Sequence, residues 1–286
     1  MLAMERGVNR RLFILGLCGT ALLPACGADV QAAPFVPARF SVEVRGSGPD
    51  VILIPGLSSG PEIWAAVTRA APGYRYHLVH VAGFAGAPAR GNARGAIVAP
   101  LARELARYIE ERGLRRPALI GHSMGGTLAM MIAADRPQLV GRVMVVDMLP
   151  APAGLFGQTT SEASAIARGI AGLTETEGGR RLFSSFVGVF APEGSSFRNS
   201  DPAVVGRAMN ELAAMDLTGR LPAIRTPLTI VYASPHARAG ASLDRQYALA
   251  YARARQTRFV RVDDSGHMIM YDQPGRLAEA MRAFLR

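Results

Sequence analysis

Apolar positions along the chain fall into two alternating kinds of run. Short runs rich in Val, Ile and Leu predict strands over Phe40 to Arg45, Val51 to Ile54, Tyr76 to Val81, Ala118 to Gly121, Arg142 to Asp147, Leu228 to Tyr232 and Thr257 to Val262. Several are continuously apolar, the pattern of strands covered on both faces. Between them, helical spacing predicts helices over Glu62 to Ala70, Ala96 to Glu111, Met124 to Ala134, Leu243 to Ala254 and Gly275 to Phe284. Strand alternating with helix implies an α/β fold, a mostly parallel sheet with helices on both faces. From Leu149 to Leu221 the alternation stops. Helical patches, glycines and loops without a strand predict an inserted helical cap over residues 149–221, between core segments 34–148 and 222–286.

Residues 1–33 follow a different pattern. Arg10 and Arg11 precede an apolar run from Leu12 to Leu23 and then small residues, which predicts an export leader, since the run is too short for a membrane span. Arg10-Arg11-Leu12-Phe13 also resembles a twin-arginine signal. Leu23-Pro24-Ala25-Cys26 resembles a lipobox, so Cys26 is a candidate lipid anchor, against release of a soluble protein by cleavage near Val30-Gln31-Ala32. Export predicts a periplasmic, secreted or membrane-anchored protein. Cys18 and Cys26 are the only cysteines, so the mature domain forms no internal disulfide.

Composition narrows the function classes. The 286 residues suffice for a sizeable core with a pocket, and at 49% apolar the chain is expected to fold. The net charge of +10 comes wholly from arginine, scattered rather than clustered, and with no zinc-finger spacing or basic tract it argues against a nucleic-acid partner. No metal or cofactor motif is present.

The chemistry concentrates at Gly121-His122-Ser123-Met124-Gly125-Gly126, between the strand Ala118-Leu119-Ile120 and the helical run Thr127 to Met131. This is a GxSxG nucleophile elbow in its strand-turn-helix setting, with glycines where side chains would collide around a strained serine. A serine needs a base. Of five histidines, His267 follows the last strand in the turn Ser265-Gly266-His267, which projects its ring over the carboxyl edge of the sheet. Oxyanion donors are expected at the Met124 backbone N–H and, from the loop Pro55-Gly56-Leu57-Ser58-Ser59-Gly60, at Leu57; one such donor is worth roughly 3 to 4 kcal/mol.

These pieces, in this order, resemble the α/β-hydrolase family over Phe40 to Arg286. Gly83-Phe84-Ala85-Gly86 stands where the family often has a glycine loop after its fourth strand, and Asp272-Gln273-Pro274 follows the histidine as in similar sequences. The resemblance implies a serine hydrolase, esterase-like, acting on a small-molecule ester or related acyl substrate. Serine before histidine with a cap between differs from the chymotrypsin and subtilisin orders. The family's third triad member usually follows its seventh strand, but here that loop is Ala233-Ser234-Pro235-His236-Ala237-Arg238, without a carboxylate. Asp147, ending the strand that corresponds to the family's sixth, where some members place the acid, is the first candidate; Asp244 is the second, and a Ser-His dyad the third. Asp263 and Asp264 lie too close in sequence to His267.

Apolar cap residues from Leu155 to Phe190, with Trp64, suggest an apolar acyl pocket, and Arg180, Arg181 and Arg198 are candidates for an acidic substrate. Besides an esterase, the pattern allows a lactonase or carbon–carbon bond hydrolase of the same fold. The missing acid also motivates a ligand-binding or low-turnover degenerate hydrolase.

Overall fold

A computed structural model describes residues 35–156, 161 and 196–286. The expected leader, Cys26, Arg180, Arg181 and the apolar side chains expected to line the cap lie outside the described residues.

Seven strands form one sheet in the order β1-β3-β2-β4-β5-β6-β7: β1 (Phe40–Arg45), β2 (Asp50–Ile54), β3 (Arg75–Val81), β4 (Ala118–His122), β5 (Arg142–Val146), β6 (Leu228–Ser234) and β7 (Thr257–Asp263). Among the described residues, only the β1–β3 pair is antiparallel. All seven predicted strands are present. Alternate residues of each strand face opposite layers, as the two-residue period of a strand requires. Ile52, Ile54, Leu119, Val143, Val145 and Ile230 enter one core, whereas Val51, Leu53, Ile120, Met144, Val146 and Val231 enter the other.

Helices α2 (Val98–Glu111) and α3 (Met124–Asp135) cover the first face. In α2 the spacing of Val98, Leu101, Leu105 and Ile109 buries one stripe and leaves Arg103, Arg107 and Glu110 in solvent. Helix α3 is buried from Met124 through Ala133, so it lies enclosed behind β4. Short α1 (Ala65–Ala70) and terminal α6 (Pro274–Leu285) supply Val67, Leu277, Met281 and Phe284 to the second face.

The C-terminal part of the expected cap is helical. In α4 (Pro202–Ala213), Pro202 sits at the start and the Asp201 carboxylate accepts from the Ala203 and Val204 amides, a side-chain cap on the first turn. Its Val204, Val205 and Ala208 pack into the same core as α2 and α3.

Two helices differ from expectation. Pro61–Trp64 is a 3-10 turn leading into α1. Helix α5 runs Gly240–Ala250, beginning before the predicted Leu243, because a turn over Ala237–Ala239 leads directly into it; there the His236 ring accepts from the Ala239 amide.

Candidate active site

The carboxyl ends of β4, β5 and β6 and the turn after β7 converge on one site. Ser123, immediately after β4, holds φ 52° and ψ −122°, a left-handed conformation that typically costs on the order of 1–3 kcal/mol for a non-glycine residue. Surrounding structure enforces it. The Ser123 amide donates to the Val146 carbonyl at 2.9 Å, and the Gly126 amide closes onto the Ser123 carbonyl at 2.8 Å. A Cβ on Gly121 would overlap the Gly125 carbonyl, and one on Gly125 would overlap that of Ile54. Glycine is therefore required at both positions by backbone packing.

Asp147 follows β5 and is also left-handed, with φ 51°. Its amide donates to the Val231 carbonyl at 2.7 Å, which ties it to β6. Oδ2 of its carboxylate accepts from His267 Nδ1 at 2.8 Å; the Asp147 side chain is 9% exposed and the His267 side chain 45%. Oδ1 accepts from the Ala233 amide at 2.9 Å and the Tyr247 hydroxyl at 3.0 Å. Asp244 is engaged elsewhere: it accepts from the Tyr232 hydroxyl and from Arg261 Nη1, both at 2.5 Å, and these bonds hold its carboxyl below the ordinary range. Asp263 pairs with the same Arg261 at 2.8 Å. Of the candidate acids, Asp147 alone is brought to His267.

The turn carrying His267 is braced from three sides. Ser265 N–H donates to the Ser234 carbonyl at 3.1 Å, and Gly266 N–H to Asp272 Oδ2 at 2.8 Å. The third brace is His122, whose Nε2 donates to the His267 carbonyl at 2.9 Å, with ring centroids 4.7 Å apart. Burial, then the neighbouring His267, brings the His122 pKa down to about 3, so its ring is neutral and its proton sits on Nε2. Among the described residues the His267 side chain bonds Asp147, and no hydrogen bond joins it to Ser123 Oγ.

Gly56 packs against this center: a Cβ there would lie 2.7 Å from His122 Nδ1 and 3.1 Å from the Ser123 Cβ. The adjoining Leu57 amide and the Met124 amide, first in α3, donate no hydrogen bond within the described residues. A network around Ser200 holds the loop. The Ser200 hydroxyl donates to the Ser58 carbonyl at 3.1 Å and accepts from Ser58 Oγ and the Ala85 amide, both at 2.8 Å. Gly83 (φ 91°) and Gly86 (φ 84°) shape the facing loop, where the Gly83 carbonyl accepts from the Asp201 amide at 2.7 Å.

The contacts of His122, Ser200, Tyr247 and Asp272 carry little sequence signal, since each depends on a partner brought up by folding. Trp64, expected at the acyl pocket, is instead fully buried in the second core with Ile63, Val67 and Ile269. Arg198 is exposed in the short turn Ser196–Asn199. Among the described residues, no group of three or more His, Cys, Asp or Glu could hold a metal, and no helix is long and apolar enough to cross a membrane.

The family model of the alpha/beta hydrolase family matches residues 51–280, and the chain belongs to that family. It is 25% identical over 248 residues to a pimeloyl-[acyl-carrier protein] methyl ester esterase from Aromatoleum aromaticum, covering 79% of this chain and 94% of that one. Esterase Rv0045c of Mycobacterium tuberculosis is 29% identical over 209 residues, 66% of this chain and 64% of the relative. Among solved structures, a thermophilic esterase from Thermogutta terrifontis superposes with a TM-score of 0.70 at 22% identity, covering 86% of this chain and 93% of that one. The enol-lactonase from Burkholderia xenovorans LB400 gives 0.66 at 17% identity, with 86% and 96% covered.

Proposed function

We propose that the chain is a serine hydrolase that cleaves a carboxylic ester through an acyl-enzyme on Ser123, with His267 as base and Asp147 as its acid. The hydrogen bond between Asp147 Oδ2 and His267 Nδ1, beside a strained serine, carries this reading. Relatives named as esterases support ester as the substrate class.

Ser123 Oγ attacks the ester carbonyl carbon while His267 Nε2 takes its proton. The imidazolium is held by Asp147, and the carbonyl oxygen, now an oxyanion, accepts from the Leu57 and Met124 amides. As the carbon–oxygen bond breaks, His267 returns the proton to the leaving alcohol. Water then attacks the acyl-enzyme and passes a proton to His267; the bond from the acyl carbon to Ser123 Oγ breaks, His267 hands that proton to Oγ, and the acid leaves. Residues 1–33, read as an export leader, support a location outside the cytoplasm.

A fluorophosphonate probe applied to expressing cells tests both parts. Wild type is expected to be labelled in the periplasmic or membrane fraction, and Ser123→Ala to remain unlabelled while losing roughly 10⁶-fold in kcat. Folded wild type that resists the probe rules out the nucleophile, and labelled protein confined to the cytoplasm rules out export.

A further inference from the structure

Asp147 reaches His267 from β5, whereas the family position one strand over holds no carboxylate. A carboxylate at the end of a strand can rotate about its Cβ–Cγ bond, and imidazole recognition requires one oxygen to face the ring. Oδ2 makes the bond to His267, so the partners of Oδ1 determine the rotation. These are two: the Ala233 amide at 2.9 Å, which belongs to the strand that would otherwise carry the acid, and the Tyr247 hydroxyl at 3.0 Å.

Tyr247 is built to hold its hydroxyl still. It projects from α5, is 2% exposed, and its ring stacks on Tyr232 with centroids 4.2 Å apart and planes 18° from parallel. Tyr232 is itself anchored, because its hydroxyl donates to Asp244, which sits one turn before Tyr247 on the same helix and is paired with Arg261. The titratable groups facing Tyr247 are Asp147, Tyr251 and Tyr232. Burial first, then the Asp147 charge, pushes the Tyr247 hydroxyl well above the ordinary phenol range, so it stays a proton donor wherever the enzyme works.

We propose that Tyr247 is a positioning residue of the catalytic apparatus: its hydroxyl, with the Ala233 amide, fixes Oδ1 of Asp147 so that Oδ2 faces His267. This inference rests on the triad reading above. It explains how an acid displaced to β5 works here, since the neighboring strand and the helix after it supply donors in place of a carboxylate. Tyr247 touches neither substrate nor reacting atoms, so it acts only through Asp147.

The test is a double-mutant cycle on a p-nitrophenyl ester. Tyr247→Phe keeps the ring stack and deletes one donor to a charged acceptor; kcat is expected to fall roughly tenfold with KM within about twofold. In an Asp147→Asn background the same change is expected to alter kcat less than about twofold, because the residue it works through is already disabled. Equal losses in both backgrounds, or full activity of Tyr247→Phe alone, overturn the proposal. If Asp147→Asn itself retains full activity, the triad reading fails; if Asp147→Asn is crippled while Tyr247→Phe is not, only this inference fails. Should Tyr247→Phe not fold, 3-fluorotyrosine in place of Tyr247 decides the matter. Its more acidic hydroxyl draws charge from the carboxylate and moves the acid limb of the kcat/KM profile to lower pH; an unmoved limb overturns the proposal.

Discussion

The Asp147 carboxylate makes three hydrogen bonds through its acceptor oxygens, and an asparagine of the same shape can keep two of them. Its Oδ1 still accepts from Ala233 and Tyr247, which leaves the amide NH₂ facing His267 Nδ1. That nitrogen must then accept rather than donate, so the ring carries its proton on Nε2 and has no lone pair for the Ser123 proton. We therefore expect Asp147→Asn to lose about 10⁴-fold in kcat with its fold intact. Asp244 bonds Tyr232 and Arg261 rather than His267, and an asparagine there keeps an acceptor for the Tyr232 hydroxyl, so Asp244→Asn is expected to stay within about threefold of wild type. Ester hydrolysis by the two purified variants checks both, and full activity of Asp147→Asn would remove it from the triad.

Among the elements, the loops after β2 and β3 depend on one hydroxyl. Ser200 donates to the Ser58 carbonyl and accepts from Ser58 Oγ and the Ala85 amide, binding the loop that carries Leu57 to the segment entering α4. Ser200→Ala deletes all three bonds, with an expected stability loss of about 1–3 kcal/mol. Because this loop carries the Leu57 amide, the proposed oxyanion donor, kcat is expected to fall roughly tenfold while KM changes little. Kinetics beside urea unfolding separates the effects, and unchanged kcat in a destabilised variant would mean that Ser200 serves only the fold. Such bonds mark the boundary of what the chain reveals before folding. The strands and the elbow were legible because a two-residue period and a GxSxG turn are local patterns. The proposed acid was legible only as a choice among Asp147, Asp244 and a Ser-His dyad without one, since β5 and β6 are adjacent in the sheet but separated in the chain by residues 147–227. Tyr247 and Ser200 gave no signal, as each bonds a distant partner. Trp64 misled for a related reason: a large aromatic beside an oxyanion loop fits a pocket as well as a core, and only the 3-10 turn at Pro61–Trp64 turns it into the second core.

For the molecule as a whole, the same buried ring that braces the site ties stability to pH. His122 lies fully enclosed beneath His267, with the charge of Asp147 nearby, and its pKa falls from the ordinary 6.5 to about 3 chiefly through burial. Between those values the unfolded chain binds a proton that the folded chain refuses. The contribution is thus fully present above about pH 6.5 and is lost as pH falls toward 3. At pH 5 the deficit is about 2 kcal/mol, a large part of the 5–15 kcal/mol by which a domain is usually stable. A glutamine at this position keeps an N–H donor for the His267 carbonyl and does not titrate. Groups common to both proteins cancel when wild type is compared with His122→Gln, so the difference between their unfolding free energies isolates the ring. From pH 7 to pH 5, wild type is expected to lose about 2 kcal/mol relative to the variant in urea unfolding. A constant difference would mean that His122 takes up its proton within the folded protein. The neutral ring would then become a cation against the imidazolium that the proposed mechanism forms at His267, and activity would fail in acid before the fold did.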